Sequence, residues 1–240
     1  MHPTFRRLGP SELLPRYIFA ESLFARRRVL EVGAVASTGG ESARFLLERG
    51  ARAVVAVDED LAAVEAAQRA LGSPTLRFRP GVYEDFEEGS FDAVLVADLA
   101  PYVRAPELLR ELVRLLGRGG CLMGGLRNAG GLALAQLMEP EEGAPPTYGQ
   151  LLDALSPHFP HVETATQSPL LGYQLAFERG EGLQVDGTLA KSTEAAYFVV
   201  VAGREPLRAV DPTWVQLPPE PLAFTRGRLD EVVQRARSWA

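Results

Sequence analysis

The residue types able to do chemistry cluster in one short loop, Glu31-Val-Gly33-Ala-Val35-Ala-Ser37-Thr-Gly39-Gly40, and in two acids, Asp58 and Asp98, that each end an apolar run. Glycines in a loop between a strand and a helix let ligand atoms approach the backbone, and helix-terminal N–H groups favour electronegative atoms. Asp58 ends the run AVVAVD, where a carboxylate can accept hydrogen bonds from the two hydroxyls of a ribose. A glycine loop followed about 20–25 residues later by such an acid is a pattern for adenosine recognition. A plain turn with a capping acid gives the same letters, so the elements around the loop have to decide.

Those elements alternate. Arg28 to Gly33 is an apolar run entering the loop, and Glu41 to Glu48 has the helical spacing of Ala43, Leu46 and Leu47. Ala53 to Val57 is β-branched and apolar, as in a strand covered on both faces. Leu61 to Leu71 is an alanine-rich helix stopped by Gly72 and Pro74, Leu76 to Phe78 a third strand, and Phe91 to Ala97 a fourth that ends at Asp98. Ala105 to Leu116 is an amphipathic helix, ended by Gly117, Gly119 and Gly120, and Cys121 to Met123 opens a fifth strand. Strand and helix at this tempo predict right-handed βαβ units and a parallel sheet. Further on, Gly130 to Met138 and Tyr148 to Leu155 are helical in pattern. Val162 to Thr166, Leu171 to Phe177 and Ala195 to Ala202 are strand-like, with a turn at Gly180 to Gly182. Strands joined without helices are antiparallel neighbours.

In their order and spacing these segments resemble the class I S-adenosylmethionine-dependent methyltransferases. Arg28-Val-Leu-Glu31-Val-Gly33 is similar to the family's first motif, and Val54-Val-Ala-Val-Asp58 to its second, whose acid binds ribose. Phe91-Asp-Ala-Val-Leu-Val-Ala-Asp98 resembles its fourth strand, and Pro106 to Gly120 the helix and glycine turn before its fifth. Pro15-Arg16-Tyr17 and the helix up to Arg27 are similar to the leader that helps cover the cofactor. The resemblance implies a Rossmann-like α/β fold, a mostly parallel seven-stranded sheet with an antiparallel terminal hairpin. It also implies S-adenosylmethionine as cofactor, held by Tyr17, Glu31, Gly33, Gly39, Asp58 and Asp98. Within that set Glu31 orients the loop and the methionyl group, Gly33 and Gly39 permit close approach, Asp58 binds ribose, and Asp98 lines the reaction cleft.

The sequence departs from the family at two points. Val35 and Ser37 stand where an ungapped alignment has the second and third glycines, although Thr38-Gly39-Gly40-Glu41-Ser42 restores the usual loop ending if two residues are inserted. Gly81-Val82 replaces the Gly-Asp whose carboxylate holds the adenine amine. No catalytic residue follows from the sequence, because methyl transfer needs in-line positioning and often little else from the protein. Asp98-Leu-Ala-Pro101-Tyr102 carries one residue too many for the aromatic-stacking motif of amino-methylating DNA enzymes, and a loop leading into a helix is the better reading.

Composition limits the rest. The chain has 240 residues, a net charge of −6 and 46% hydrophobic residues, enough for a packed core and without a basic field for nucleic acid. Its one cysteine, Cys121, excludes an internal disulfide and a multi-cysteine zinc site. His158 and His161 have no third ligand nearby, so no metal is expected. The single lysine, Lys191, has Gly187 four residues before it, which removes tyrosine–lysine dehydrogenase chemistry, and the glycine loop lacks the Gly-Lys-Ser/Thr of a P-loop. With no apolar run near the roughly 20 residues a membrane span needs, a cytoplasmic location is expected.

The expected organisation is a methyltransferase-like domain over 1–203, a Pro-rich linker over 204–223 and an amphipathic helix over 224–240. Leu229, Val232, Val233, Ala236 and Trp239 form that helix's stripe, which offers self-association or a protein partner. Two functions stay open. The first is methyl transfer to a small molecule or protein; the second is a catalytically degenerate member of the fold, a pseudo-enzyme serving as scaffold or interaction module.

Overall fold

The computed structural model describes residues 12–81, 83–131, 144–170, 188, 194–207 and 210–217. Two short helices, α1 (Leu13–Phe19) and α2 (Glu21–Phe24), precede strand β1 (Arg28–Val32). Then follow α3 (Val35–Thr38), α4 (Glu41–Glu48), β2 (Ala53–Asp58), α5 (Leu61–Leu71), β3 (Leu76–Pro80) and β4 (Phe91–Val96). The remainder is α6 (Ala100–Arg104), α7 (Pro106–Leu115), β5 (Leu116–Arg127), α8 (Tyr148–Leu155), β6 (His161–Gln167) and β7 (Tyr197–Gly203).

The seven strands form one sheet in the order β3-β2-β1-β4-β5-β7-β6. β1 to β5 pair in parallel, while β7 runs antiparallel between β5 and β6. Strand order reverses between β1 and β4, and ligands of open α/β sheets bind beyond the carboxyl ends of the strands at such a point. The loop after Val32 and the segment after Val96 both emerge there.

Each face of the sheet carries its own core. Alternate residues of β1 and β4 divide between them: Val29, Ala93 and Leu95 pack with α1, α2, α4 and α5, whereas Leu30, Val32, Val94 and Val96 pack with α6, α7 and α8. This two-sided burial is why the parallel strands read as unbroken apolar runs. Leu109, Leu112, Val113 and Leu115 of α7 are the buried stripe of that helix. The capping box of α8, Thr147 with Gln150, fixes its start.

Two short helices break the expected pattern. Val35 to Thr38 is a helical turn inside the glycine loop, and Ala100 to Arg104 is a helix where the sequence suggests only a loop. The fifth strand begins at Leu116 rather than Cys121, because Leu116 already pairs with Phe91 before the register shifts. Residues 204–207 and 210–217 are in neither helix nor strand. Leu207, Val210 and Leu217 nevertheless pack against the core on the α1 side. The expected strand at 171–177, the turn at Gly180 to Gly182, most of the 130–138 helix and the C-terminal helix lie outside the described residues.

Candidate functional site

The loop after β1 turns on three left-handed glycines. Gly33, Gly39 and Gly40 have φ of 74°, 59° and 82°, a region closed to β-branched residues and open to glycine. A Cβ at Gly33 or Gly39 would meet nothing within 4 Å, so the space beside both is clear. A Cβ at Gly40 would fall 2.6 Å from the Phe78 ring. Gly40 is therefore a packing glycine, and the other two border open space. Val35 and Ser37 lie within the helical turn and need no positive φ. Val35 is fully buried and belongs to the core layer with Tyr17, Phe45 and Phe78.

Glu31 is completely buried at the end of β1. Tyr17 of α1 donates its hydroxyl to Glu31 Oε1 at 2.8 Å, and Oε2 has no hydrogen-bond partner among the described residues. Burial raises the carboxyl to about 7, opposed by hydrogen bonding from Ser42 and Tyr17 and reinforced by the nearby Asp58 charge. Beneath the loop, Thr38 Oγ1 donates to the Ala34 carbonyl at 2.5 Å and lies 2.9 Å from Ser42 Oγ. An apolar layer thus encloses a small polar group whose carboxyl is half-neutral near pH 7. A buried carboxyl with one unpartnered oxygen can ionise against a cationic group brought close to it.

Asp58 stands at the end of β2. Its Oδ2 accepts from the Ala36 backbone N–H at 3.0 Å and its Oδ1 from the Asp60 N–H at 3.1 Å. The first bond ties the helical turn of the glycine loop to the end of β2. A carboxylate can accept about four hydrogen bonds, so these two leave capacity for hydroxyl donors. Asp98 is exposed, and its Oδ1 accepts from the Ala100 N–H at 2.9 Å, which starts α6.

All six expected site residues therefore sit on the carboxyl edge or just under it. The structure joins Tyr17 to Glu31 and Asp58 to the loop, while Asp98 lies one strand further along. Sequence reasoning missed two features. Tyr83 and Tyr102, from the segments after β3 and β4, meet hydroxyl to hydroxyl at 2.7 Å, and burial raises both phenols. Their meeting depends on the helix at Ala100 to Arg104, which the pattern hid.

The other missed feature is Arg16, 5% exposed despite its charge. Its Nε donates to Gln167 Oε1 at 2.6 Å, its Nη1 donates to the Ala97 carbonyl at 2.9 Å, and its guanidinium lies 4.5 Å from the centre of the Tyr197 ring. The adjacency of Arg16 to Tyr17 was the only signal in the sequence.

This sheet order, with two core layers and a glycine loop at the switch point, is that of the class I methyltransferase fold. Residues 30–124 match the family model described as a methyltransferase domain. Among solved structures, an S-adenosylmethionine-dependent methyltransferase from Mesorhizobium loti is similar at 16% identity and TM-score 0.57, over 81% of this chain and 99% of that one. A Haloferax volcanii protein proposed to be a methyltransferase, in complex with the Trm112 methyltransferase activator, is similar at 18% identity and TM-score 0.56, over 87% and 96%. A Listeria monocytogenes protein proposed to be an S-adenosylmethionine-dependent methyltransferase is similar at 13% identity and TM-score 0.54, over 81% and 100%. No curated protein matches the sequence. Among the described residues no helix is long and apolar enough to cross a membrane, and no group of three or more His, Cys, Asp or Glu could hold a metal.

Proposed function

We propose that the protein binds S-adenosylmethionine at the carboxyl edge of β1, β2 and β4 and transfers its methyl group to a small molecule or protein. One observation carries this reading. Clear space borders Gly33 and Gly39, in a loop that follows the buried carboxyl of Glu31 and is tied through the Ala36 N–H to the acid that ends β2, Asp58. That set fits the cofactor: Glu31 would face its cationic methionyl end, the two glycines would admit it to the backbone, and Asp58 would accept from the ribose hydroxyls. When bound, the cofactor supplies an electrophilic methyl group on sulfur. The protein's share is to position the acceptor in line with it beside Asp98 and to exclude water.

A second reading is favoured by the bond from Ala36 N–H to Asp58 Oδ2. In a scaffold that no longer catalyses, this bond would hold the loop closed on the ribose acid permanently. The Haloferax neighbour's complex with an activator protein supports a protein partner as an ingredient of either reading. The two readings differ in a titration of the full chain with S-adenosylhomocysteine. Binding that Asp58→Ala abolishes supports the enzyme, and no heat at millimolar ligand supports the scaffold.

A further inference from the structure

Arg16 poses an energetic problem that the proposed function leaves unsolved. A guanidinium withdrawn from water costs several kcal/mol unless a carboxylate and full hydrogen bonding compensate it. Its two direct acceptors, the Gln167 amide oxygen and the Ala97 carbonyl, are neutral. Among the described residues no carboxylate forms an ion pair with it, and Nη2 has no acceptor. Glu12, Asp98 and the phenols of Tyr17 and Tyr197 act on it only through space. Glu12 is itself turned toward the Tyr197 hydroxyl, and burial raises its carboxyl.

The surroundings are shaped for this charge. A Cβ at Gly125 of β5 would lie 2.2 Å from Nη1, so the guanidinium rests on a bare backbone. Gln167, at the end of β6, accepts from Arg16 Nε and donates from its own Nε2 to the Glu12 carbonyl at 3.0 Å. Ala97 immediately precedes Asp98. Arg16 thus stands over β5, between the tips of β4, β6 and β7, on the opposite side of the switch point from Asp58.

We propose that Arg16 is the anchor of a carboxylate-binding subsite and that the carboxylate belongs to the methyl acceptor. The inference rests on the methyl-transfer reading for its second half. Planar carboxylates match the guanidinium fork, and a charge-assisted bond to the free Nη2 would supply the direct ion pair that no described carboxylate forms with it. Glu12 is the resident anion that an incoming carboxylate displaces from the neighbourhood of Arg16. The α-carboxylate of the methyl donor is the other source of the same chemistry.

The test is a titration of the full chain with acetate, glutarate and citrate against chloride at matched ionic strength, with and without saturating S-adenosylhomocysteine, followed by thermal shift. The expected result is a carboxylate-specific rise in melting temperature that Arg16→Gln weakens roughly tenfold or more in apparent affinity. Glu12→Gln, which leaves its backbone carbonyl to Gln167, should strengthen binding. A purely structural clamp predicts lower stability in both variants and no carboxylate specificity, which overturns the proposal.

Sources separate by comparing S-adenosylhomocysteine with 5′-methylthioadenosine, which lacks the carboxylate. If Arg16→Gln weakens the first and spares the second, the subsite belongs to the donor and the acceptor assignment fails. If the wild-type chain binds neither nucleoside, the methyl-transfer reading fails, and the acceptor assignment with it. The carboxylate titration on the protein alone then still decides the anchor. Wild-type and Arg16→Gln chains responding alike to every carboxylate would remove Arg16 from any anion site.

Discussion

Glu31→Gln gives the sharpest stability prediction, because it exchanges a carboxyl for an amide of the same shape at a fully buried position. The wild-type carboxyl is raised to about 7 in the folded chain from an ordinary value of 4.5. Between those values the folded protein binds more protons than the unfolded one, so stability falls as pH rises through the window and is level above it. At about 1.4 kcal/mol per pH unit the shift amounts to roughly 3 kcal/mol. A neutral Gln keeps the Tyr17 donor partnered and carries no ionisation cost. The variant should therefore match the wild type near pH 4 and exceed it by roughly 3 kcal/mol at pH 8. For a domain of this size that is about 6–12 °C in melting temperature. Melting curves from pH 4 to pH 9, read as the difference between the two proteins, cancel every other titrating group. Parallel curves across the window would refute the raised carboxyl of Glu31. Convergence at pH 4 with divergence above pH 7 is the expected signature.

Other predictions follow from the same geometry. Gly40→Ala should cost about 1–3 kcal/mol through the Phe78 clash and positive φ, whereas Gly33→Ala carries only the backbone strain; denaturant midpoints rank the two. Asp58→Asn should loosen the loop, and faster amide exchange at Ala36 would report loss of the bond to Oδ2; an unchanged exchange rate would argue that the bond contributes little. Gly125→Ala should displace the Arg16 guanidinium from its seat and abolish any carboxylate-dependent stabilisation, a result that fails if the response survives. Thr147→Ala removes the α8 capping box and should cost about 1 kcal/mol in chemical denaturation.

What could be read from the sequence follows from what periodicity encodes. Strands β1, β2 and β4 are buried on both faces, so Val29 to Val32, Ala53 to Val57 and Phe91 to Val96 stood out as apolar runs, and their order implied the sheet. The apolar stripe of α7 and the antiparallel placing of β6 and β7 followed from the same patterns. The candidate site was legible as letters but not as bonding. Asp58 and Glu31 were identifiable by position, while the Ala36 amide on Asp58 and the free Oε2 of Glu31 depend on three-dimensional closure. Val35 reads as an obstacle in the cofactor loop until the helical turn at Val35 to Thr38 is seen to face it into the core. Four-residue turns carry too few periods to announce themselves, and the same limit hid α6 and the Tyr83–Tyr102 contact. Arg16 stood out only as part of the leader, because its environment comes from β4, β5, β6 and β7, up to 181 positions away in the case of Tyr197.

The loop that follows Glu31, open beside Gly33 and Gly39 and tied to Asp58, is proposed to hold the cofactor. Isothermal titration of the full chain with S-adenosylhomocysteine at pH 7, in two buffers of different ionisation heat, tests it most directly. Saturable one-to-one binding is expected, with release of a fraction of a proton as Glu31 ionises against the ligand's ammonium group, and with loss of binding in Asp58→Ala. Absence of binding at millimolar ligand, or binding indifferent to Asp58, would contradict it.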